Sequence, residues 1–86
     1  MPRVSEFFGI AIYLYFTDHA PPHFHAEYGG EEALYEIETL RVIGGNLSRR
    51  AHNLVLELAD KHRTELNDDW LRERQKQSLV DIEPLD

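Results

Sequence analysis

The sequence predicts an α+β fold, in which a small antiparallel sheet of three or four strands packs against one long C-terminal helix. Three observations support this prediction. Residues 7–16 form an apolar run, residues 23–38 alternate apolar with polar side chains around a Gly-Gly pair, and apolar residues recur every three or four positions after residue 50. We expect one domain spanning residues 1–86, with the sheet in residues 7–46, the helix in residues 48–76 and an irregular tail in residues 77–86.

The first strand is predicted to be the run FFGIAIYLYF at residues 7–16, which is rich in β-branched and aromatic side chains. Because side chains alternate along a strand, one face would bury every second residue: Phe8, Ile10, Ile12, Leu14 and Phe16. The opposite face would be only partly exposed, because it carries Ala11, Tyr13 and Tyr15.

The next two segments predict a β-hairpin around Gly29-Gly30. Alternation places His23, His25 and Glu27 on one face of the first arm, and the polar set of the second arm on that same face: Glu32, Leu34, Glu36 and Glu38. A two-residue turn would pair His23 with Glu36, whereas a four-residue turn would pair His25 with Glu36. Both registers keep the histidines and the glutamates on one face.

Residues 41–43 are predicted to add a short fourth strand, which ends at Gly44-Gly45-Asn46. Ser48 is then the expected N-cap of the helix. The apolar stripe of this helix follows three- and four-residue spacing: Ala51, Val55, Leu58, Ala59, His62, Leu66 and Trp70. In the tail, we expect Val80, Ile82 and Leu85 to contact the body of the domain.

Composition excludes several classes of protein. The chain has no cysteine, so it has neither a disulfide framework nor a thiolate metal site. No segment is long and apolar enough for a signal peptide or a membrane span, so we expect a cytoplasmic protein that does not contact the membrane. Sixteen acidic residues against nine basic ones give a net charge of −7, which disfavours nucleic-acid binding unless the basic residues cluster locally.

The stretch DHAPPHFHAEY at residues 18–28 is the candidate functional site, because it holds three of the five histidines. One interpretation is a metal site. His23 and His25, two apart on a strand, would point the same way, and His19 would supply a third imidazole across Pro21-Pro22. Zinc or another divalent transition metal suits such a set. Further ligands would come from Asp18, Glu27 or Glu36, and from His62 if it faces the hairpin.

A second interpretation is acid–base catalysis without a metal. Two neighbouring imidazoles act as general base and general acid near neutral pH, and a nearby cation stabilises the charge that develops. This set suffices to cleave RNA, whose ribose hydroxyl supplies the nucleophile. The glutamates of the same face would orient or charge the histidines, and the cation would be one of four arginines: Arg3, Arg41, Arg49 or Arg50.

A third interpretation gives these residues no chemistry and makes them the exposed side of a hairpin, where His–Glu pairs stabilise the sheet modestly. It explains poorly why the stiff Pro21-Pro22 pair should link His19 to His23. Outside this stretch, His62 and Trp70 lie on the apolar stripe and are expected in the core, whereas His52 lies off it and is expected to be exposed.

Several motifs together resemble the bacterial family called domain of unknown function 4160. They are SEFFGI near the start, the run from Asp18 to Gly30, the LADKHRTEL helix segment followed by Trp70, and IEPL near the end. The positions that match are His19, Pro21, Pro22, His23, Phe24, His25, Glu27, Tyr28, Gly29, His62, Arg63, Glu65 and Trp70. The chain departs from the family in having Leu40 after Thr39, where Gly is usual, and Ser48 where Pro is usual.

The resemblance implies a small prokaryotic protein from a gene beside that of a second small domain, domain of unknown function 2442. Such an arrangement looks like a toxin–antitoxin pair, with the present type as the toxin. Our leading hypothesis is therefore a toxin-like component, for which a nuclease-like activity is one option, with a His-rich active or metal site. In this site His23 and His25 carry the chemistry or hold the metal, His19 assists, and Glu36 or Glu27 orients or charges them. The alternative is a non-enzymatic regulatory or partner-binding module, whose histidines are structural or bind metal passively. It would bind its cognate protein or form a homodimer through the Tyr13 and Tyr15 face.

Overall fold

A computed structural model describes residues 3–15 and 19–86 of the chain. Five strands form one antiparallel sheet in the order β1-β2-β3-β4-β5, so every strand pairs with its neighbour in sequence. Their bounds are Arg3–Phe7, Ile10–Tyr13, His23–Tyr28, Glu31–Glu36 and Val42–Gly45. Two helices follow, α1 at Arg49–Lys61 and α2 at Arg63–Arg74. The α+β class is confirmed, but the sheet has five strands rather than three or four.

The additional strand is β1, which ends at Phe7 where the first apolar run begins, so the prediction of one strand over residues 7–16 was wrong. Phe8 and Gly9 form a two-residue turn, and Phe7 pairs directly with Ile10 across it. Both turn residues have positive φ, 50° for Phe8 and 83° for Gly9, as the hairpin turns that match strand twist need. Phe8 is therefore 51% exposed rather than buried. Phe16, predicted on the buried face, lies outside the described residues.

The hairpin of β3 and β4 has the register predicted for a two-residue turn. Gly29 and Gly30 form this turn with φ of 55° and 86°, and His23 lies opposite Glu36. One face of the hairpin joins the core, where Phe24 stacks on Tyr35 with ring centroids 5.3 Å apart. The other face carries His23, His25 and Glu27, because successive side chains of a strand point to opposite sides.

The helical region contains two helices, so the prediction of one long helix over residues 48–76 was wrong. The chain leaves helical geometry at His62, where φ is −121° and ψ is 29°. The backbone still bonds across the break, since His62 N donates to Leu58 O at 3.0 Å and Leu66 N donates to His62 O at 3.0 Å. No Gly or Pro marks the break in the sequence, which is why residue spacing predicted a continuous helix.

The core lies between α1, α2 and the sheet face that carries Phe24 and Tyr35. Tyr35 contacts α1 directly, because its hydroxyl lies 2.7 Å from His52 Nδ1 and the two rings stack. His52 is therefore half-buried, which corrects its predicted exposure. The fully buried members of this core include Ile10, Ile12, Leu14, Ala26, Ile37, Val55, Leu58 and Leu66. No helix among the described residues is long and apolar enough to cross a membrane.

The C-terminal segment after α2 has no regular structure and lies along β1. Ile82 is 3% exposed, and its N–H donates to Val4 O at 2.7 Å. The buried Asp69 of α2 fixes the start of this segment, because its Oδ1 accepts from Val80 N at 2.8 Å and from the Arg72 guanidinium at 2.8 Å. Val80 therefore contacts the body through its backbone N–H, while its side chain is 53% exposed.

Candidate functional site

The register of β2, β3 and β4 defines the surface on which the histidines lie. His25 pairs with Tyr13 on one side and with Leu34 on the other. These cross-strand neighbours point to the sheet face opposite α1, since Phe24 and Ala26 point into the core. We call this surface the open face. Tyr13, His25 and Leu34 are all half-buried there.

His23 begins β3 and is held by its own loop. Its Nδ1 donates to the carbonyl oxygen of Pro21 at 2.8 Å, two residues earlier. Its ring also lies against Trp70 of α2, with centroids 5.4 Å apart. These contacts leave His23 only 7% exposed. The peptide bond between Ala20 and Pro21 is cis.

His25 is held by a carboxylate of the next strand. Its Nδ1 donates to Glu32 Oε2 at 3.2 Å, and its side chain is 13% exposed while that of Glu32 is 46% exposed. On the other side, the Tyr15 ring meets the imidazole edge to face at 4.5 Å. His25 therefore stands between an accessible carboxylate and an aromatic ring.

The two imidazoles belong to a continuous series of ring contacts, which we call the ring row. Tyr13 stacks on Tyr15 at 6.0 Å, Tyr15 contacts His25, and His25 contacts His23 with ring centroids 5.4 Å apart. His23 then contacts Trp70, and the Arg74 guanidinium carbon lies 5.6 Å from the Trp70 ring centroid. The row thus runs from two half-buried tyrosines to a cation.

Hydrogen bonding selects the tautomer of both imidazoles. A carbonyl or carboxylate oxygen only accepts, so Nδ1 of His23 and Nδ1 of His25 each carry a proton. In the neutral rings, Nε2 is then the basic nitrogen that takes up a proton or binds a metal. Each ring is oriented by an oxygen atom that accepts from its Nδ1, a backbone carbonyl for His23 and a carboxylate for His25.

The remaining predicted site residues do not gather around this pair. His19 is exposed, and within the described residues it makes no hydrogen bond or ring contact. Glu36 lies opposite His23, but its Oε1 accepts from Thr39 Oγ1 at 2.5 Å. Glu27 is half-buried and pairs with Glu32 in the ladder rather than with a histidine.

His62 lies at the junction of α1 and α2, where its Nδ1 bonds Glu65 Oε1 at 2.5 Å. It is 9% exposed, as expected for a core histidine with one partner. Across residues 3–15 and 19–86, no group of three or more His, Asp or Glu side chains is arranged to hold a metal ion. Asp18, the other ligand considered, lies outside the described residues.

Two of the predicted cations are each linked to the pair through one neighbouring residue. Arg3 pairs with Tyr13, which pairs with His25, but the Arg3 side chain bonds Glu6 at 3.1 Å. The Arg41 carbonyl accepts from Glu36 N at 2.9 Å, and Glu36 pairs with His23, whereas Arg49 and Arg50 begin α1. Arg74, at the far end of the ring row, was not predicted.

Two contacts of the site were missed in the sequence. Glu32 is diagonal to His25, since His25 pairs with Leu34 and Glu27 pairs with Glu32. Alternation placed Glu32 on the correct face. Because long side chains on neighbouring strands can also contact each other diagonally, the contact with His25 could have been predicted. Trp70 was assigned to the core, and it is 5% exposed, but it also contacts His23. No local pattern signals that contact, because the two residues belong to different layers.

A cleft of about 250 Å³ lies elsewhere, between β1 and the C-terminal segment. It is lined by residues 3–6 together with Asp81, Ile82 and Pro84, and no histidine reaches it. We therefore place the candidate chemistry on the open face and not in this cleft, since Arg3 and Glu6 are already paired with each other.

The fold and the site define a small α+β protein whose five-stranded sheet presents two oriented histidines beside aromatic rings. The family model for Domain of unknown function (DUF4160) matches residues 9–71, and the chain belongs to this family. The match contains the three histidines of the candidate stretch and Trp70, and it excludes β1, Arg74 and the C-terminal segment. No curated protein and no solved structure matches the chain.

Proposed function

We propose that His23 and His25 form a metal-independent acid–base site that cleaves single-stranded RNA, and that the protein is the toxin-like member of a bacterial two-gene module. One observation carries this proposal: the two rings are 5.4 Å apart, and each has its Nδ1 bound to an oxygen. Cleavage of a phosphodiester needs one group that takes a proton from the attacking hydroxyl and one that gives a proton to the leaving oxygen, and the Nε2 atoms of two imidazoles can do both.

In the proposed reaction, His25 Nε2 takes the proton of the ribose 2′-hydroxyl, and the 2′-oxygen forms a bond to phosphorus. The bond from phosphorus to the 5′-oxygen breaks, and the leaving oxygen takes a proton from the protonated His23. The products are a 2′,3′-cyclic phosphate and a 5′-hydroxyl. Glu32 stabilises the imidazolium that forms at His25, since their side chains are 3.2 Å apart.

The ring row supports a single-stranded substrate. Bases of single strands stack on aromatic side chains, and Tyr13 and Tyr15 are half-buried beside His25. Arg41 or Arg74 would contact the phosphate. The net charge of −7 weakens general attraction of RNA, so binding would depend on these local contacts. The cognate partner would be the adjacent-gene protein of the domain of unknown function 2442 type, acting in the cytoplasm.

The first test is growth of bacteria that express the chain, or His23→Ala with His25→Ala, from an inducible promoter. We expect the wild type to arrest growth, the double variant to be harmless, and co-expression of the adjacent-gene protein to restore growth. His19→Ala shows whether the exposed histidine takes part. Equal growth of wild type and folded double variant would remove the toxin hypothesis.

The second test uses purified protein and a labelled RNA strand. We expect cleavage that persists in a chelator, and no cleavage when every 2′-hydroxyl is methylated, because the nucleophile is then blocked. Two results would contradict the acid–base mechanism and favour a metal site. One is cleavage of the methylated strand, and the other is loss of RNA cleavage in the chelator together with stoichiometric zinc by elemental analysis.

A second candidate function, a non-enzymatic binding module, is favoured by the burial of His23 at 7% exposure. A general acid must reach its substrate, and the contacts with Pro21 and Trp70 restrict that access. In this case Tyr13, Tyr15 and Leu34 would bind the cognate protein or a second copy. Unchanged partner binding in the His23→Ala and His25→Ala variant, with no RNA cleavage by wild type, would favour the module.

A further inference from the structure

The two edges of the sheet differ in how they are covered. At the β1 edge, the C-terminal segment bonds to the strand through Ile82 N and Val4 O at 2.7 Å. At the other edge, β5 pairs with β4 and with no other strand among the residues that the structure describes. An unpaired edge strand presents backbone N–H and C=O groups to which another strand can pair.

The β5 edge is also apolar. Val42 is 37% exposed and Ile43 is 39% exposed, and the register against β4 shifts between them, since Val42 pairs with Tyr35 and Gly44 pairs with Leu34. Natural proteins commonly protect such edges with charged residues or proline within the strand, and residues 42–45 contain neither. An exposed apolar pair on an open edge is typical of strands that bind a further strand.

Arginines flank β5 along the sequence. Arg41 precedes β5, and Arg49 and Arg50 follow it as the first residues of α1. All three are exposed, and among the described residues none of their guanidinium groups makes an ion pair. The first turn of α1 contains no acidic residue. Glu31 already lies at this end of the helix, because its Oε1 accepts from Ser48 N at 3.1 Å, so the charge that a partner would meet is that of the three arginines.

We propose that β5 binds an extended acidic segment of a partner protein, which adds a sixth strand to the sheet. Backbone hydrogen bonds and contacts with Val42 and Ile43 provide the affinity, and carboxylates paired with Arg49 and Arg50 select the partner. A second copy of the chain fits less well. Antiparallel pairing of β5 with itself would bring Arg41 of one copy towards the α1 arginines of the other, and like charges repel. The inference is independent of the chemistry proposed for the open face.

The test uses two synthetic peptides of about eight residues, the length of an ordinary strand, which alternate valine with glutamate or valine with lysine. NMR titration of the full chain measures binding and maps it. We expect the glutamate peptide to bind at least about tenfold more tightly, which corresponds to roughly 1.4 kcal/mol, with the largest shifts at the amides of residues 42–45. Added salt should weaken binding, because the charges are exposed.

Arg49→Gln with Arg50→Gln should weaken binding of the glutamate peptide about tenfold. The matched control is Lys61→Gln with Lys76→Gln, which removes the same charge from exposed positions at the ends of the two helices and should leave binding unchanged. Equal loss in both variants, equal binding of both peptides, shifts confined to other strands or no binding would each overturn the proposal. Sedimentation showing dimers that pair through β5 would also overturn it, because the second copy would then be the occupant.

Discussion

The Tyr35 hydroxyl and His52 Nδ1 share a hydrogen bond of 2.7 Å, which joins the central sheet to α1. Tyr35 is fully buried, and this burial raises its pKa to about 12. The neutral form is favoured in the folded state, so the unfolded chain loses its phenolic proton at lower pH than the folded chain. Stability from this residue is therefore fully present below about pH 10 and is lost as pH rises towards about 12.

Tyr35→Phe removes this pH dependence. We expect the wild type to lose roughly 1–2 kcal/mol more unfolding free energy than the variant between about pH 10 and 12. At neutral pH the variant should be less stable by about 1 kcal/mol, because His52 Nδ1 loses its hydrogen-bond partner. Denaturant unfolding across pH measures both effects. Parallel pH profiles for the two proteins would show that Tyr35 titrates normally.

Gly45→Ala should strongly destabilise the fold. A Cβ at this position would lie 2.1 Å from the Glu32 carbonyl oxygen, and φ is +69°. We expect a loss of more than about 2 kcal/mol. Gly44→Ala is the matched control, since its nearest contact would be Leu34 Cβ at 3.8 Å, and should cost less than about 1 kcal/mol. Similar melting temperatures for the two variants would contradict this geometry at β5.

Phe8→Asn should stabilise the chain by about 0.5–1 kcal/mol, because asparagine tolerates the left-handed conformation that Phe8 adopts at φ 50°. The Phe8 ring is half exposed, so few core contacts are lost. Phe8→Ala keeps the backbone strain and should give no such gain. If alanine stabilises as much as asparagine, the gain comes from removing the ring and not from the turn.

Asp69→Ala should release the C-terminal segment and cost about 2–4 kcal/mol, since Val80 N and the Arg72 guanidinium lose their acceptor. Hydrogen exchange at the Val80 amide should become fast in the variant. The neighbouring Asp68 is exposed, and Asp68→Ala should change stability by less than about 0.5 kcal/mol. Slow exchange at Val80 in Asp69→Ala would mean that other contacts hold the segment.

Glu32→Gln distinguishes the two carboxylates considered for His25. If the proposed chemistry holds, removing the charge next to His25 Nδ1 should lower kcat for RNA at least about tenfold with little change in KM. Glu36→Gln should have a smaller effect, because Glu36 bonds Thr39. If the cleavage rate depends on Glu36 and not on Glu32, then Glu36 orients the histidines, as the sequence predicted.

The sequence by itself determined the features that depend on short-range alternation. The period-two pattern around Gly29-Gly30 predicted that His23, His25 and Glu36 share one face, and it left two registers open, of which the structure has the one that pairs His23 with Glu36. Side-chain direction in a strand is a local property, so these predictions did not require knowledge of the rest of the fold. Family membership was equally accessible, because the motifs of residues 9–71 are contiguous in sequence.

Tertiary structure alone decided the rest. Phe8 adopts positive φ in its turn, although phenylalanine disfavours this conformation. Pairing of β1 with β2 and with the C-terminal segment holds Phe8 there. The helix break at His62 carries no Gly or Pro, and the contact of Trp70 with His23 joins residues 47 positions apart. Such contacts depend on how layers pack together, and packing is a property of the whole chain rather than of a local pattern.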